Sequence, residues 1–247
     1  MVGIASTAQS RSVAALLFDS GKRPDAEALA ALAARSGAFT VTHRSEAEPG
    51  WLELLRGGLT FDVTGLAPET ALRLGPAAAH PVGLPRSLDL TTLEAIYLAP
   101  GPHLAGAEHL LPVIRVAVAQ IADMAQMPGI VGVSWLPART VVSPGWFVQA
   151  ISAWLDGGPF PALALAALAR TSSKMTSEGL AFLIGQEFTL YASDGMLQER
   201  DARVAVRLVD WLVAHGKVEG PREVVLSGVG PVWLEPDREG LVHARCV

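Results

Sequence analysis

The chain repeats one plan three times: an apolar strand, a short loop, an amphipathic helix, a glycine and a second strand. The three copies span residues 13–43, 93–135 and 188–227. Elsewhere strands follow one another directly, and the apolar runs 52–55 and 59–63 flank two glycines, which tolerate the positive φ of a tight hairpin turn. Strands that alternate with helices in some places and adjoin in others predict an α+β fold with a mixed, largely antiparallel sheet or sheets.

Four main helices are expected to pack on the sheet faces. They run over residues 25–35, about 108–127 and 145–155, with a fourth that ends near residue 215. Their apolar residues recur at steps of three and four, which places those residues on one face of a helix. The apolar run 160–169 fits either a buried strand or a helix, because its length and its alanines suit both.

The stretch 67–90 is rich in proline, glycine and alanine, a composition typical of a linker or a long loop. It would divide a small N-terminal β-α-β-β lobe at 1–66 from a larger C-terminal α+β lobe at 91–247. The alternative is one continuous domain over 1–247, from which this stretch is an excursion. A chain of 247 residues is long enough for either arrangement.

The chain is apolar and weakly charged, with 50% hydrophobic and 17% charged residues. This indicates either a large core or an apolar interface with a second copy or another protein. The formal net charge is -5 and the charges are interspersed, without a basic cluster. Nucleic acid and anionic membrane surfaces are therefore not expected as partners. We expect a protein partner or self-association, for instance as a homodimer, and leave a small-molecule ligand open.

The compartment that the sequence predicts is the cytoplasm of a bacterium. Residues 1–12 lack the basic start and apolar core of a signal peptide. Every apolar run is broken before the roughly 20 residues that a membrane span needs. The single cysteine, Cys246, has no second thiol for an internal disulfide, which suits a reducing environment.

Motifs that would name a reaction are absent from the sequence. It contains no phosphate-binding glycine loop, no dinucleotide-binding motif, no nucleophile elbow and no zinc-binding pair. His103, Glu108 and His109 come nearest to a metal site, but they would not share one helix face. We therefore expect no cofactor and no metal, and assign no catalytic residue. The sequence favours a non-catalytic protein without excluding an unrecognised enzyme.

Glu187 is the most conspicuous polar residue, because it lies within the largely apolar segment 180–191. If this segment is a strand, Leu183, Glu187 and Tyr191 share one face. A carboxylate there could be a pocket acid or base. The structural alternative, which the sequence favours, is an ion pair with Arg139, Arg170 or Lys174, or a position on an exposed strand face.

Three tryptophans lie near Arg139 in the sequence: Trp135, Trp146 and Trp154. They could line a ligand pocket, although packing of a short helix against a core is the more common reason for such a cluster. The candidate ligand-binding residues are therefore Glu187, Arg139 and Trp135.

One set of features resembles a known bacterial family. It comprises 132–135 before a helix that begins with Ser-Pro, the segment 176–180 followed by Gly185-Gln-Glu187, and a late helix followed by Gly220 and closing strands. Residues 129–237 are in this way similar to domain-of-unknown-function family 4261, although Glu178 stands where a basic or small residue would be expected. The resemblance implies a cytoplasmic accessory protein without catalytic residues, and it singles out Gly179, Leu180 and Glu187.

The function that these observations favour is a non-catalytic protein-binding or accessory module. The alternative is a small-molecule-binding protein, or an unrecognised enzyme, with a pocket around Glu187, Arg139 and Trp135.

Overall fold

The computed structural model describes residues 11–75 and 80–247, and the chain forms two compact units. The first unit comprises 1–136 and 140–157, and the second comprises 137–139 and 158–247. The described residues form six α-helices and two mixed, largely antiparallel sheets. The predicted α+β class is confirmed, and the four longest helices are the four that the periodicity indicates. None of the helices in these ranges combines the length and hydropathy that a membrane span requires.

The first unit is built on a nine-stranded sheet, whose strands run in the order β2-β3-β4-β7-β1-β8-β9-β6, with β5 also beside β7. All pairs are antiparallel except β6 with β9. The strands are β1 (Ala14–Phe18), β2 (Thr40–Arg44), β3 (Trp51–Arg56), β4 (Leu59–Thr64), β5 (Leu72–Arg73), β6 (His80–Val82), β7 (Glu94–Pro100), β8 (Ile130–Trp135) and β9 (Thr140–Val142). The helices are α1 (Ala26–Ser36), α2 (Leu111–Met124) and α3 (Pro144–Leu155).

Local sequence signals explain the ends of several of these elements. Asp25 caps α1 by accepting a hydrogen bond from the backbone N–H of Ala28 at 2.8 Å. Gly37 ends the helix with a φ of 62°, in the left-handed region. The predicted hairpin is confirmed as β3 and β4, whose turn residues Gly57 and Gly58 both have positive φ.

The two faces of this sheet are covered in different ways. Helix α1 contacts β2, α2 contacts β4 and α3 contacts β8, and α2 also contacts both other helices, so that the three helices form one layer over the sheet. The opposite face carries Ala15, Leu17, Ala95 and Tyr97, all buried. Partly buried leucines from the proline-rich stretch pack against these side chains, namely Leu72, Leu74, Leu84, Leu88 and Leu90. The stretch 67–90 therefore covers a sheet face within the first unit and does not separate two lobes, although residues 76–79 lie outside the described ranges.

The second unit is built on a six-stranded sheet in the order β10-β11-β12-β15-β14-β13, with only β12 and β15 parallel. Its strands are β10 (Ala167–Arg170), β11 (Lys174–Glu178), β12 (Phe188–Tyr191), β13 (Arg222–Leu226), β14 (Gly230–Pro236) and β15 (Val242–Cys246). Its helices are α4 (Ala162–Leu165), α5 (Leu180–Ile184) and α6 (Glu199–His215).

Alternation along the strands gives this second sheet a buried and an exposed face. Phe188, Leu190, Val232, Leu234 and Val242 point to one side and are fully buried. Helix α6 supplies further buried side chains to this unit, Val204, Leu208 and Leu212 among them. The intervening residues of the strands point to the opposite side, which we call the outer face.

Two predictions for the second unit need correction. The run 160–169 is neither one strand nor one helix, because α4 ends at Leu165 and β10 begins at Ala167. The segment 180–191 is not a continuous strand either. Helix α5 lies between Gly179 and Gly185, which have φ values of 88° and 78°. The face assignment that assumed a strand through Glu187 is therefore wrong.

Candidate functional site

Glu187 joins two neighbouring elements of the second unit. Its Oε2 accepts a hydrogen bond from Ser177 Oγ at 2.5 Å, and its Oε1 accepts one from the backbone N–H of Ala181 at 2.9 Å. Ser177 Oγ in turn accepts a hydrogen bond from the backbone N–H of Phe188 at 2.8 Å. The carboxylate thus ties β11 to the first turn of α5. These contacts support a structural role, through hydrogen bonds rather than the ion pairs that the sequence suggested.

Arg139 and Trp135 lie in different environments from Glu187. Arg139 Nη1 forms an ion pair with Glu178 Oε1 at 3.0 Å, and both side chains are partly exposed. Trp135 is the last residue of β8 in the first unit and is 1% exposed. The structure therefore gives Glu187 and Arg139 separate partners within the second unit, while Trp135 belongs to the core of the first.

The three residues that the family resemblance singles out all have a structural role in the same turn. A Cβ added to Gly179 would lie 2.5 Å from the Cα of Ala138, and the φ of 88° disfavours side chains. Leu180 is fully buried. With Glu187 bonded to Ser177 and Ala181, all three residues serve the turn between β11 and α5.

A row of five side chains crosses the outer face of the second sheet. The register places Glu223 opposite Trp233, Trp233 opposite Arg245, Arg245 opposite Tyr191, and Tyr191 opposite Lys174. We call these five residues the outer row. Neighbouring strands lie about 4.8 Å apart, so the row spans roughly 19 Å.

Aromatic and cationic groups alternate in the middle of the outer row. The Arg245 guanidinium lies over the Tyr191 ring, 5.3 Å from its centroid, a cation–π contact. Arg245 also approaches Glu235 at 3.8 Å. Trp233 is 38% exposed and the neighbouring Val225 is 72% exposed, so large apolar side chains on this face reach solvent.

Tyr191 is held in place by a hydrogen-bonded chain. Its hydroxyl lies 3.0 Å from His243 Nδ1, and His243 Nε2 lies 3.1 Å from Asp237 Oδ2. Because a carboxylate accepts hydrogen bonds, the neutral imidazole that fits this chain carries its proton on Nε2 and accepts a hydrogen bond from the tyrosine hydroxyl at Nδ1. Partial burial acts to raise the pKa of Asp237, but hydrogen bonds from Leu241 and His243 bring it below 3.8.

A carboxylate, an imidazole and a hydroxyl that are hydrogen-bonded in this order also occur in enzymes, where they activate the hydroxyl as a nucleophile. Here the three groups lie on an open sheet face, with His243 and Asp237 side chains 26% and 32% exposed. The chain fixes the orientation of the Tyr191 ring beside Arg245. A ring that is already fixed loses little conformational entropy when a partner binds.

The sequence could not reveal this arrangement. The alternation of exposed and buried residues along 231–235 and 242–246 is visible in the sequence, but the partners of His243 come from a turn and from β12, whose Tyr191 is 52 residues away. The sequence alone places His243 at a strand end, as a surface residue without a partner pattern.

Two other features of the described residues concern polar groups. Asp62 in the first unit is 3% exposed and accepts hydrogen bonds from Trp51 Nε1 at 3.2 Å and from Arg11 at 3.3 Å. Burial raises the pKa of Asp62 above 3.8 despite these partners, and the contacts join β3 to β4. Within the same ranges, no group of three or more His, Cys, Asp or Glu residues could hold a metal ion.

The architecture and the outer row define a two-unit α+β protein with an exposed aromatic and cationic sheet face. Comparison with family models, with curated proteins and with solved structures finds no match to this chain. The resemblance to family 4261 accordingly stays a prediction.

Proposed function

We propose that the protein is a non-catalytic protein-binding module that associates with a second copy of itself through the outer face of the second sheet. The observation that carries the proposal is the outer row, Glu223, Trp233, Arg245, Tyr191 and Lys174, aligned across five strands. Tryptophan, tyrosine and arginine are the residue types that contribute most to the energy of protein interfaces. In this row they are neighbours, and the hydrogen bond to His243 holds the tyrosine in one orientation.

The charges of the outer row are complementary to themselves. A two-fold axis that passes Arg245 roughly parallel to the strands would place Glu223 of each copy opposite Lys174 of the other. The same axis brings Trp233 opposite Tyr191. An axis along the row would instead bring like charges together, which is unfavourable. The arrangement of charge therefore favours one symmetric pairing of two copies.

The centre of this pairing contains two copies of Arg245. Their guanidinium groups are flat and can stack, each between the rings of Trp233 and Tyr191. Glu235, 3.8 Å from Arg245, offsets part of the repulsion. Two sheets that stack face to face lie about 10 Å apart, a separation that aromatic and arginine side chains from both sides fill.

The alternative, a ligand pocket around Glu187, Arg139 and Trp135, has less support. The carboxylate of Glu187 already accepts two hydrogen bonds, and Arg139 is paired with Glu178. The polar atoms of these two side chains thus bind neighbouring residues of the second unit, which does not favour a ligand pocket between them.

Sedimentation equilibrium of the full chain tests the proposal. We expect the mass to approach twice 25.9 kDa as the concentration rises. Trp233→Ala should raise the dimer dissociation constant by about 30-fold or more, the effect of losing a central aromatic contact. A wild-type chain that stays at 25.9 kDa over the accessible concentrations would refute self-association. An unchanged dissociation constant for Trp233→Ala would refute this face.

Charge reversal tests the pairing itself. Lys174→Glu or Glu223→Lys turns two attractive contacts per dimer into repulsive ones and should weaken association about tenfold. The double variant restores opposite charges and should recover most of the loss. Lys217→Glu is the matched control, because Lys217 is exposed in the turn after α6 and lies outside the row. Circular dichroism of every variant verifies that it folds.

A further inference from the structure

A cleft lies between the N-terminal half of α6 and the turn that joins β13 to β14. It consists of two adjoining cavities of about 420 and 590 Å³, which share Arg203, Gly228 and Val229 in their walls. All the lining residues belong to the second unit. Cavities of about 300–1,000 Å³ are typical of sites for small molecules. We call this pair of cavities the α6 cleft.

Three arginines project from α6 along the α6 cleft at steps of three and four residues: Arg200, Arg203 and Arg207. Arg200 is paired with Asp194 at 2.6 Å. Arg203 and Arg207 form no ion pair and no side-chain hydrogen bond with any described residue. Their guanidinium groups can therefore bind an anion without breaking an existing contact.

The acidic residues in the cleft walls have other partners or lie at the exposed rim. Asp201 Oδ2 accepts a hydrogen bond from the backbone N–H of Gln198 at 2.7 Å and caps α6. Asp210 Oδ1 accepts one from the backbone N–H of Phe160 at 2.9 Å. Glu199 lies in the first turn of the helix and is exposed. Two of the three carboxylates thus accept hydrogen bonds from the backbone, while the guanidinium N–H groups of two of the three arginines form no hydrogen bond with any described residue.

The larger cavity is also lined by apolar side chains. Phe160, Ala202, Val206 and Val229 contribute to it, together with Pro159. Phe160 is one of these lining residues and is only 6% exposed, so its ring is held in place by its neighbours. Apolar walls beside a few convergent polar groups are the usual composition of a site for an organic ligand.

From this arrangement we infer that the α6 cleft binds an organic carboxylate with an apolar chain. The carboxylate lies between Arg203 and Arg207, whose planar guanidinium groups match the two oxygens of a carboxylate. The chain extends over Phe160 and Val206 in the larger cavity. The site is separate from the outer face and does not depend on self-association.

Isothermal titration of the full chain with octanoate tests the inference. Octanoate should bind, whereas octylamine and octanol, which have the same chain without the carboxylate, should bind at least about tenfold more weakly. Butanoate should also bind more weakly, by about two- to fourfold for each methylene removed. Octanoate affinity below detection, equal affinity for octylamine, or affinity independent of chain length would each overturn the inference.

Variants locate the site. Arg203→Gln combined with Arg207→Gln should weaken octanoate binding by about tenfold or more, because both charge-assisted hydrogen bonds are lost. Arg238→Gln is the matched control: Arg238 is exposed in the turn between β14 and β15, outside the α6 cleft. The replaced side chains lie at the surface, so the variants should fold, which circular dichroism checks. Unchanged binding by the double variant would rule out this site.

Discussion

Replacing Glu94 with glutamine removes the negative partner of a buried arginine in the first unit. Arg23 Nε donates to Glu94 Oε2 at 2.8 Å, and the two side chains are only 8% and 9% exposed. Ser20 Oγ donates to the other carboxylate oxygen at 3.0 Å. Arg23 also donates to the backbone carbonyls of Gly65 and Glu69, so it joins β7 to the turn after β4.

We expect Glu94→Gln to lower the free energy of unfolding by about 2–3 kcal/mol, which is near the lower limit of the range for breaking a buried ion pair. The low end applies because Glu94 is the first residue of β7, at the end of the strand. Glutamine has nearly the same shape, so little packing is lost. The cost comes from the guanidinium of Arg23, which keeps its charge and its burial without a counter-charge.

Hydrogen exchange read by mass spectrometry on peptides from β1 and β7 measures this loss within the first unit, because a protein of two units need not unfold in one step. Glu27→Gln is the control. Glu27 pairs with Arg44, and these side chains are 80% and 42% exposed, so less than about 1 kcal/mol is expected. A loss in Glu94→Gln no larger than in this control would refute the reasoning.

The same pair predicts a dependence on pH. The hydrogen bond from Arg23 holds the pKa of Glu94 below its ordinary value of 4.5. A lowered pKa in the folded state means that the stabilisation is fully present above pH 4.5 and is lost as the pH falls through the folded-state pKa. The stability difference between wild type and Glu94→Gln should therefore shrink as the pH falls below 4.5. A constant difference would contradict the assigned cause.

Three further substitutions test the turn and the core of the second unit. Gly179→Ala combines a positive φ with a contact of 2.5 Å to Ala138 and should cost about 2 kcal/mol or more in thermal unfolding, whereas Gly185→Ala, with positive φ but open space, should cost about 1 kcal/mol. Gln186→Ala should cost about 2 kcal/mol or more, because the buried side chain donates to the carbonyl of Val218 at 3.1 Å and accepts from its N–H at 2.8 Å. Equal losses in the two glycine variants, or a loss below about 0.5 kcal/mol for Gln186→Ala, would contradict these assignments.

The elements with a clear local signal could be predicted from the sequence. The sequence predicts helix α1 at 25–35, and the helix runs over Ala26–Ser36. The two agree because the residues that begin and end the helix, Asp25 and Gly37, are next to it in the sequence. The hairpin of β3 and β4 follows from its two glycines and its apolar runs. Such features depend on residues close together in the chain, which is why the pattern alone identifies them.

The proline-rich stretch shows where local composition misleads. The composition of residues 67–90 is typical of a linker, but their leucines pack on Ala15, Leu17 and Tyr97 of the first sheet. Whether such leucines are exposed or packed depends on a sheet face built from β1, β7 and β9, which local patterning does not assemble. The sequence could not decide whether 180–191 is one strand for a related reason: Gly179 and Gly185 fit turns of several kinds, and the close approach of Ala138 is a tertiary contact.

The candidate site was harder still to predict. The sequence singles out Glu187, a carboxylate among apolar residues, and the structure supplies Ser177 and Ala181 as its partners. The outer row has no local signature, because its five residues lie on five different strands. Their alignment is set by the registers of four strand pairs, which no spacing along the chain encodes.

The most direct test of self-association through the outer row is a mixing experiment with Lys174→Glu and Glu223→Lys. Each variant alone should form dimers about tenfold more weakly than wild type, because like charges meet at both ends of its row. In a mixed pair, the glutamate introduced in one copy meets the lysine introduced in the other, and the unaltered Glu223 and Lys174 meet at the other end. Sedimentation equilibrium of the equimolar mixture should then give a dissociation constant near that of wild type. A mixture that associates no more tightly than the separate variants would contradict the pairing.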